Sequence, residues 1–245
     1  MKEFNYKEVN MKYLIDNLKS LLIAIILAVI FRSVLYEPYL IPSGSMIPTM
    51  LVGDRIFISK FEYGISNFSF PFEPHIFDGR ILELNKPDRG DVVVFKQKSG
   101  YGYTTYIKRL IGLPGDVVQM IGGVLYINDK PVPKVKAGSF NLEGQIVPQF
   151  IETLPNGVSY HTLDTYNSPM DNTVKYIVPV DNYFFMGDNR DNSRDSRYLN
   201  GIGFVPAENL LGKAKFIFFS TSAQWYDIAG WFTKLRYNRL FKAVD

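Results

Sequence analysis

Near the start of the chain lies a run of eleven uncharged residues, Leu21–Phe31, all aliphatic or aromatic. Its length alone fits a core helix or the apolar part of a secretory signal. Widened to Leu18–Tyr36, it takes in only Lys19 and Arg32 as charges, long cations whose heads can reach toward lipid headgroups. That window gives ~28 Å of helix at 1.5 Å per residue, about the thickness of a bilayer core. A removable secretory signal would need small residues at a cleavage site just after the run. Arg32-Ser33-Val34-Leu35-Tyr36-Glu37-Pro38 offers none. A buried helix in a soluble protein stays open on hydropathy. The window is read here as an uncleaved anchor, residues 18–36, behind a tail of residues 1–17. That tail carries Lys2, Lys7 and Lys12 against Glu3, Glu8 and Asp16. Acidic residues weigh little in orienting a helix, so the tail is expected in the cytoplasm and residues 37–245 on the far side.

Beyond the anchor the texture changes. Short β-rich runs alternate with Gly, Pro, Asn and Asp turns: 55–61, 91–96, 104–111, 117–119, 124–127, 176–178, 183–186 and 213–220. This spacing predicts a mainly β fold, an antiparallel sheet or barrel-like domain following an N-terminal transmembrane helix. Ile121-Gly122-Gly123-Val124 reads as a hairpin turn. Residues 62–80 and about 130–175 read as loops or a small subdomain. The stretch from Trp225 to Val244 mixes aromatic and basic residues; it fits a docked terminal segment or one resting on an anionic membrane surface.

Composition closes several routes. Without cysteine there are no disulfides, no thiolate metal sites and no Cys nucleophile. The two histidines, His75 and His161, lie in loop-like insertions away from any motif, so neither a zinc site nor a histidine base is expected. A net charge of +3 without a basic stripe gives no reason to expect a nucleic-acid partner.

Three segments carry possible chemistry. In Ile41-Pro42-Ser43-Gly44-Ser45-Met46-Ile47-Pro48-Thr49-Met50 the prolines disfavour helix. An extended chain would turn the Ser43 and Ser45 hydroxyls to one face, with Gly44 allowing close backbone approach. A flexible linker is the competing reading, but its apolar residues exceed what a solvated linker needs. In Tyr106–Asp116, strand alternation sets Lys108 between Tyr106 and Leu110 on one face, opposite Ile107 and Arg109. A buried Lys loses pKa and can serve as a base; a sheet-edge Lys with its head in water is the alternative. The third segment, Gly187–Tyr198, alternates Asp and Arg and could lock itself by ion pairs around Ser193. A calcium loop starting at Asp191 would need Gly at 196 and Glu at 202; the chain has Ser196 and Ile202. No metal and no cofactor are expected. Gly53-Asp54-Arg55 and Arg89-Gly90-Asp91 read as turns leading into strands, with no chemical role.

Taken together, these segments resemble the bacterial type I signal peptidases, from the anchor through Tyr36-Glu37-Pro38, Pro42-Ser43-Gly44-Ser45-Met46, Gly53-Asp54, Arg89-Gly90-Asp91, Tyr106-Ile107-Lys108-Arg109, Gly112–Asp116 and Gly187–Tyr198. The resemblance implies a membrane-anchored serine endopeptidase that removes signal peptides from exported preproteins at Ala-x-Ala-like sites. It further implies Ser45 as nucleophile and Lys108 as general base. Ser43, with the Ser45 N–H, would bind the oxyanion; Ser193 would orient the lysine, with Asp195 and Arg197 in support. Tyr39, Ile41, Pro42, Met46, Met50, Ile56, Tyr106 and Ile107 would wall the substrate pockets. The implied partners are preproteins and the lipid bilayer, in the bacterial cytoplasmic (inner) membrane, with the catalytic domain on its outer side. One departure is Leu199-Asn200-Gly201-Ile202-Gly203 before Phe204-Val205-Pro206, longer than the family's usual connection. A self-cleaving repressor with a Ser/Lys pair would need a DNA-binding N-terminus, which the first 36 residues do not provide. A non-catalytic, membrane-tethered peptide-binding module would tolerate loss of Ser45 or Lys108.

Overall fold

The computed structural model describes residues 6–70, 79–142, 144–165, 168–223 and 226–244. His75 and Trp225 lie outside them. The chain opens with one helix, α1 (Tyr6–Val34), which leads directly into strand β1 (Tyr36–Leu40). The apolar side chains of α1 from Leu14 to Val29 stand exposed. The uninterrupted apolar run covers only part of the helix, and among the described residues no helix is long and apolar enough to cross a membrane.

The remaining chain is mainly antiparallel β, as its alternating runs and turns predict. Strands β2 (Asp54–Ser59), β3 (Val92–Ser99), β4 (Gly102–Gly112), β5 (Val117–Ile121) and β6 (Val124–Ile127) come next. They are followed by β7 (Lys134–Leu142), β8 (Gln145–Thr153), β9 (Ser159–Leu163), β10 (Asn182–Met186) and β11 (Leu210–Ser220). The main sheet has eight strands, in the order β1-β2-β11-β3-β4-β10 and then the short strand 205–206; strand 242–243 pairs with β11. Central β3 is buried on both faces through Val92-Val93-Val94-Phe95, the pattern of a strand covered on both sides. Alternation sends Val92 and Val94 into one core cluster, and Val93 and Phe95 into another. Strands β5 and β6 form a second sheet with the short strands 130–131 and 176–177. Its hairpin turns at Gly122 and Gly123, both at positive φ (55° and 73°), as a tight two-residue turn demands.

The segment 130–175, read from sequence as loop or small subdomain, contains a three-stranded sheet, β7-β8-β9. Its Gly138 bulge and its exposed polar residues obscure the alternation that would reveal strands. Of the segment 62–80, residues 71–78 lie outside the described residues, and the short strand 65–66 pairs with 80–81. The long connection after Tyr198 is a pair of turns. Gly201 and Gly203 both donate to the Tyr198 carbonyl, Gly203 has φ 58°, and Ile202 is tucked inside.

Candidate active site

The Ser43–Met46 segment departs from the extended form expected of it. Gly44–Met46 is a single 3-10 turn capped by extended Ser43. Fully extended, side chains two apart would sit about 7 Å from each other; the turn draws the Ser43 and Ser45 hydroxyls to 3.4 Å. Ser45 is buried and Met46 wholly so. Two bonds from Asn189 hold the turn: its side chain donates to Gly44 O (3.0 Å) and its N–H to Ser45 O (3.1 Å).

Strand β4 brings Lys108 to this turn. Nζ lies 2.6 Å from Ser45 Oγ and donates to the Ile107 carbonyl at 2.9 Å. The residue is 3% exposed, so the sheet-edge reading with a solvated head does not hold. Burial pushes the amine down to about 8, against the opposing pull of Asp195 and Asp188. Removing water from an ammonium that lacks a carboxylate partner disfavours its charged form.

The 187–197 loop packs beneath this pair. Gly187 is sterically required: a Cβ there would fall 2.2 Å from Ser193 Oγ and 2.5 Å from Ser45 O. Asp195 and Arg197 form a fully buried ion pair at 2.8 Å. Burial by itself would raise the Asp195 carboxyl, but Arg197 together with the Gly187 N–H and Ser193 outweighs it, and the carboxyl is held below its ordinary range. Ser193 is buried near the Asp195 carboxyl, and its Oγ meets no partner at full hydrogen-bond geometry. It makes no bond to Lys108 among the described residues, whose two bonds go to Ser45 and Ile107.

The loop does not lock itself by internal pairs alone, as sequence suggested. Asp188 is gripped from β4 by Arg109 (Nε to Oδ1 at 2.9 Å, Nη2 to Oδ2 at 2.8 Å) and also accepts from Thr49 Oγ1. Arg190 reaches out to Glu152 on β8 in a forked pair. Asp188, Arg190, Glu152 and Tyr160 are additions to the expected site. Only the Gly-Asp-Asn-Arg motif hinted at the first two, and nothing local to Glu152 or Tyr160 marks them. Asp191 of the loop forms an acidic trio with Asp164 and Asp171, and Lys134 already pairs with Asp164.

Of the expected pocket walls, Ile41, Met46, Met50, Ile56 and Ile107 share one apolar cluster, with Tyr39 packed against it. Met46, Met50 and Ile56 have no exposed surface; they form the layer under the site. Tyr39 is half-buried and Pro42 exposed. Tyr106 stands apart from that cluster and stacks on Phe95, with ring centres 5.9 Å apart. His161 is exposed on β9 and takes no part.

The family model described as signal peptidase, peptidase S26, matches residues 14–219. The chain belongs to the signal peptidase family. The signal peptidase I of Rickettsia bellii (strain OSU 85-389) is 40% identical, over 97% of this chain and 88% of its own length. That of Rickettsia rickettsii (strain Sheila Smith) is 42% identical, over 91% of this chain and 90% of its own. Among solved structures, a signal peptidase I from Enterococcus faecalis V583 matches at 29% identity and TM-score 0.31, covering 54% of this chain and 98% of that one. Membership makes the chain a serine endopeptidase and supports signal-peptide cleavage as its activity.

Proposed function

We propose that this signal peptidase works by acyl transfer, with Ser45 as nucleophile and Lys108 as general base. The carrying observation is the 2.6 Å separation of Lys108 Nζ and Ser45 Oγ at a buried amine. With the amine near 8, roughly a tenth of molecules hold it neutral at pH 7. A neutral amine takes the Ser45 proton as Oγ attacks the scissile carbonyl, forming an acyl-enzyme that water then resolves. The Ser45 N–H and the Ser43 hydroxyl are the oxyanion donors, a role in which one donor is worth roughly 3–4 kcal/mol. Ser193, Asp195 and Arg197 fix the surroundings of the lysine. The substrate lies extended across Tyr39, Ile41, Pro42 and Ile107, with shallow contacts that favour small side chains at an Ala-x-Ala-like site.

Helix α1 is the membrane anchor in this reading. Its exposed side chains from Leu21 to Leu27 are apolar on every side, which water disfavours and lipid accepts. The catalytic domain then faces the outer side of the bacterial cytoplasmic membrane, where preproteins emerge. No metal or cofactor enters the mechanism.

Ser45→Ala and Lys108→Ala variants test the pair in a preprotein-processing assay. Each should lose at least ~1,000-fold in rate, and normal processing by either would reject the assignment. The wild-type kcat/KM should climb about tenfold per pH unit on the acid side and level off near pH 8.

A further inference from the structure

We propose that Glu152, on the small sheet, is a positioning residue for the Ser45–Lys108 pair and acts through Arg190. The proposal rests on the reading of those two residues as nucleophile and base. Glu152 has no exposed surface. Both its oxygens accept from the Arg190 guanidinium, and Oε2 also accepts from the Tyr160 hydroxyl at 2.9 Å. A buried carboxylate on a sheet strand carries a desolvation cost that well-packed apolar residues would avoid, so stability alone gives little reason to keep it.

The Arg190 side chain ties this pair to the loop under the nucleophile, its Nε donating to Gly187 O at 3.3 Å, and backbone bonds extend the hold. Leu163, at the end of β9, donates to Asp188 O (2.8 Å) and accepts from Arg190 N (2.9 Å). Between those two residues sits Asn189, which makes both bonds to the Gly44 and Ser45 carbonyls. Arg190 also passes the restraint onward, because its carbonyl accepts from Arg197 Nη2 at 2.5 Å. Arg197 in turn holds Asp195, the carboxylate that acts most strongly on Lys108. The charged groups around the amine are therefore Asp195 and Asp188, compensated by Arg197 and by Arg109, the latter stacked on Tyr160 at 4.2 Å. Glu152 takes both terminal nitrogens of Arg190, while Asp188 takes its bidentate bond from Arg109.

The experiment is a pH profile of kcat and KM on a fluorogenic peptide carrying an Ala-x-Ala site, using the full chain in detergent. Glu152→Gln breaks the pair and can unfold the chain. The deciding variant is therefore Glu152→Leu with Arg190→Met, which replaces the pair by apolar side chains of similar size. The proposal expects this double variant to melt near wild type, lose roughly tenfold to a hundredfold in kcat with KM little changed, and move its acid limb to higher pH as water reaches Lys108. A double variant with wild-type kcat and an unmoved limb overturns the positioning role. If Lys108→Ala in the same assay keeps its activity, the base assignment itself falls, a different result from failure of the Glu152 proposal alone.

Discussion

Lys108 and Arg109 are neighbours on β4, and the fold treats them in opposite ways. Both are buried cations at 3% and 0% exposure. Arg109 receives a bidentate carboxylate, a backbone carbonyl and the face of Tyr160. Burial works against its charge, but Asp188 more than restores it, and its pKa sits above the ordinary value. Lys108 receives a hydroxyl and a carbonyl, and burial wins. Nearby carboxylates exist for both; the difference is that those near Lys108 are already spent on arginines. A cation buried with its counter-ion serves the structure, whereas one buried without it carries a cost that only chemistry explains.

This contrast can be broken at its strongest point first. Arg109→Met leaves Asp188 buried without its partner and should lower unfolding free energy by about 3–5 kcal/mol in denaturant titration. A loss below 1 kcal/mol would mean that the pair is not what holds the loop. Lys108→Met should do the reverse while abolishing activity. Its folded pKa lies below the unfolded value of 10.5, so the unfolded chain binds the extra proton and the native lysine penalises folding below pH 8. The variant should gain about 3 kcal/mol at pH 7, a gain that fades as pH rises from about 8 to 10.5. A gain that stayed constant with pH would show that packing, not charge, was relieved. The smallest effect is the sharpest test. Asp195→Asn removes the carboxylate that acts most on Lys108, so the acid limb of kcat/KM should move to lower pH. A limb that moved upward would mean that the carboxylate acts by excluding water rather than by its charge.

Much of this was legible in sequence, for physical reasons that differ by region. The strands from 92 to 127 were readable because their runs are short, apolar and closed by glycine turns, so local pattern and final burial agree. The 134–163 sheet was not, since its outer strand β7 is largely exposed and offers no hydrophobic alternation. Ser45 and Lys108 were found by motif resemblance, and the structure puts them together. Prolines exclude helix but not a single 3-10 turn, so the segment after Ser43 reads as extended in sequence and folds as a turn. Glu152 and Tyr160 were invisible: each reads as an ordinary strand residue until the chain folds them onto Arg190. Ser193 lies in the loop as expected, but its bond to the lysine is absent among the described residues.

The Gly44 and Ser45 carbonyls are both held by one residue, Asn189, whose side chain reaches back 145 positions to the first and whose backbone N–H takes the second. Synthesis runs from the N-terminus, so the serine is made long before its support. A nascent chain halted anywhere short of residue 189 thus carries a complete Ser-Gly-Ser-Met segment without the residue that clamps two of its carbonyls, and that clamp arrives only with the last quarter of the polypeptide.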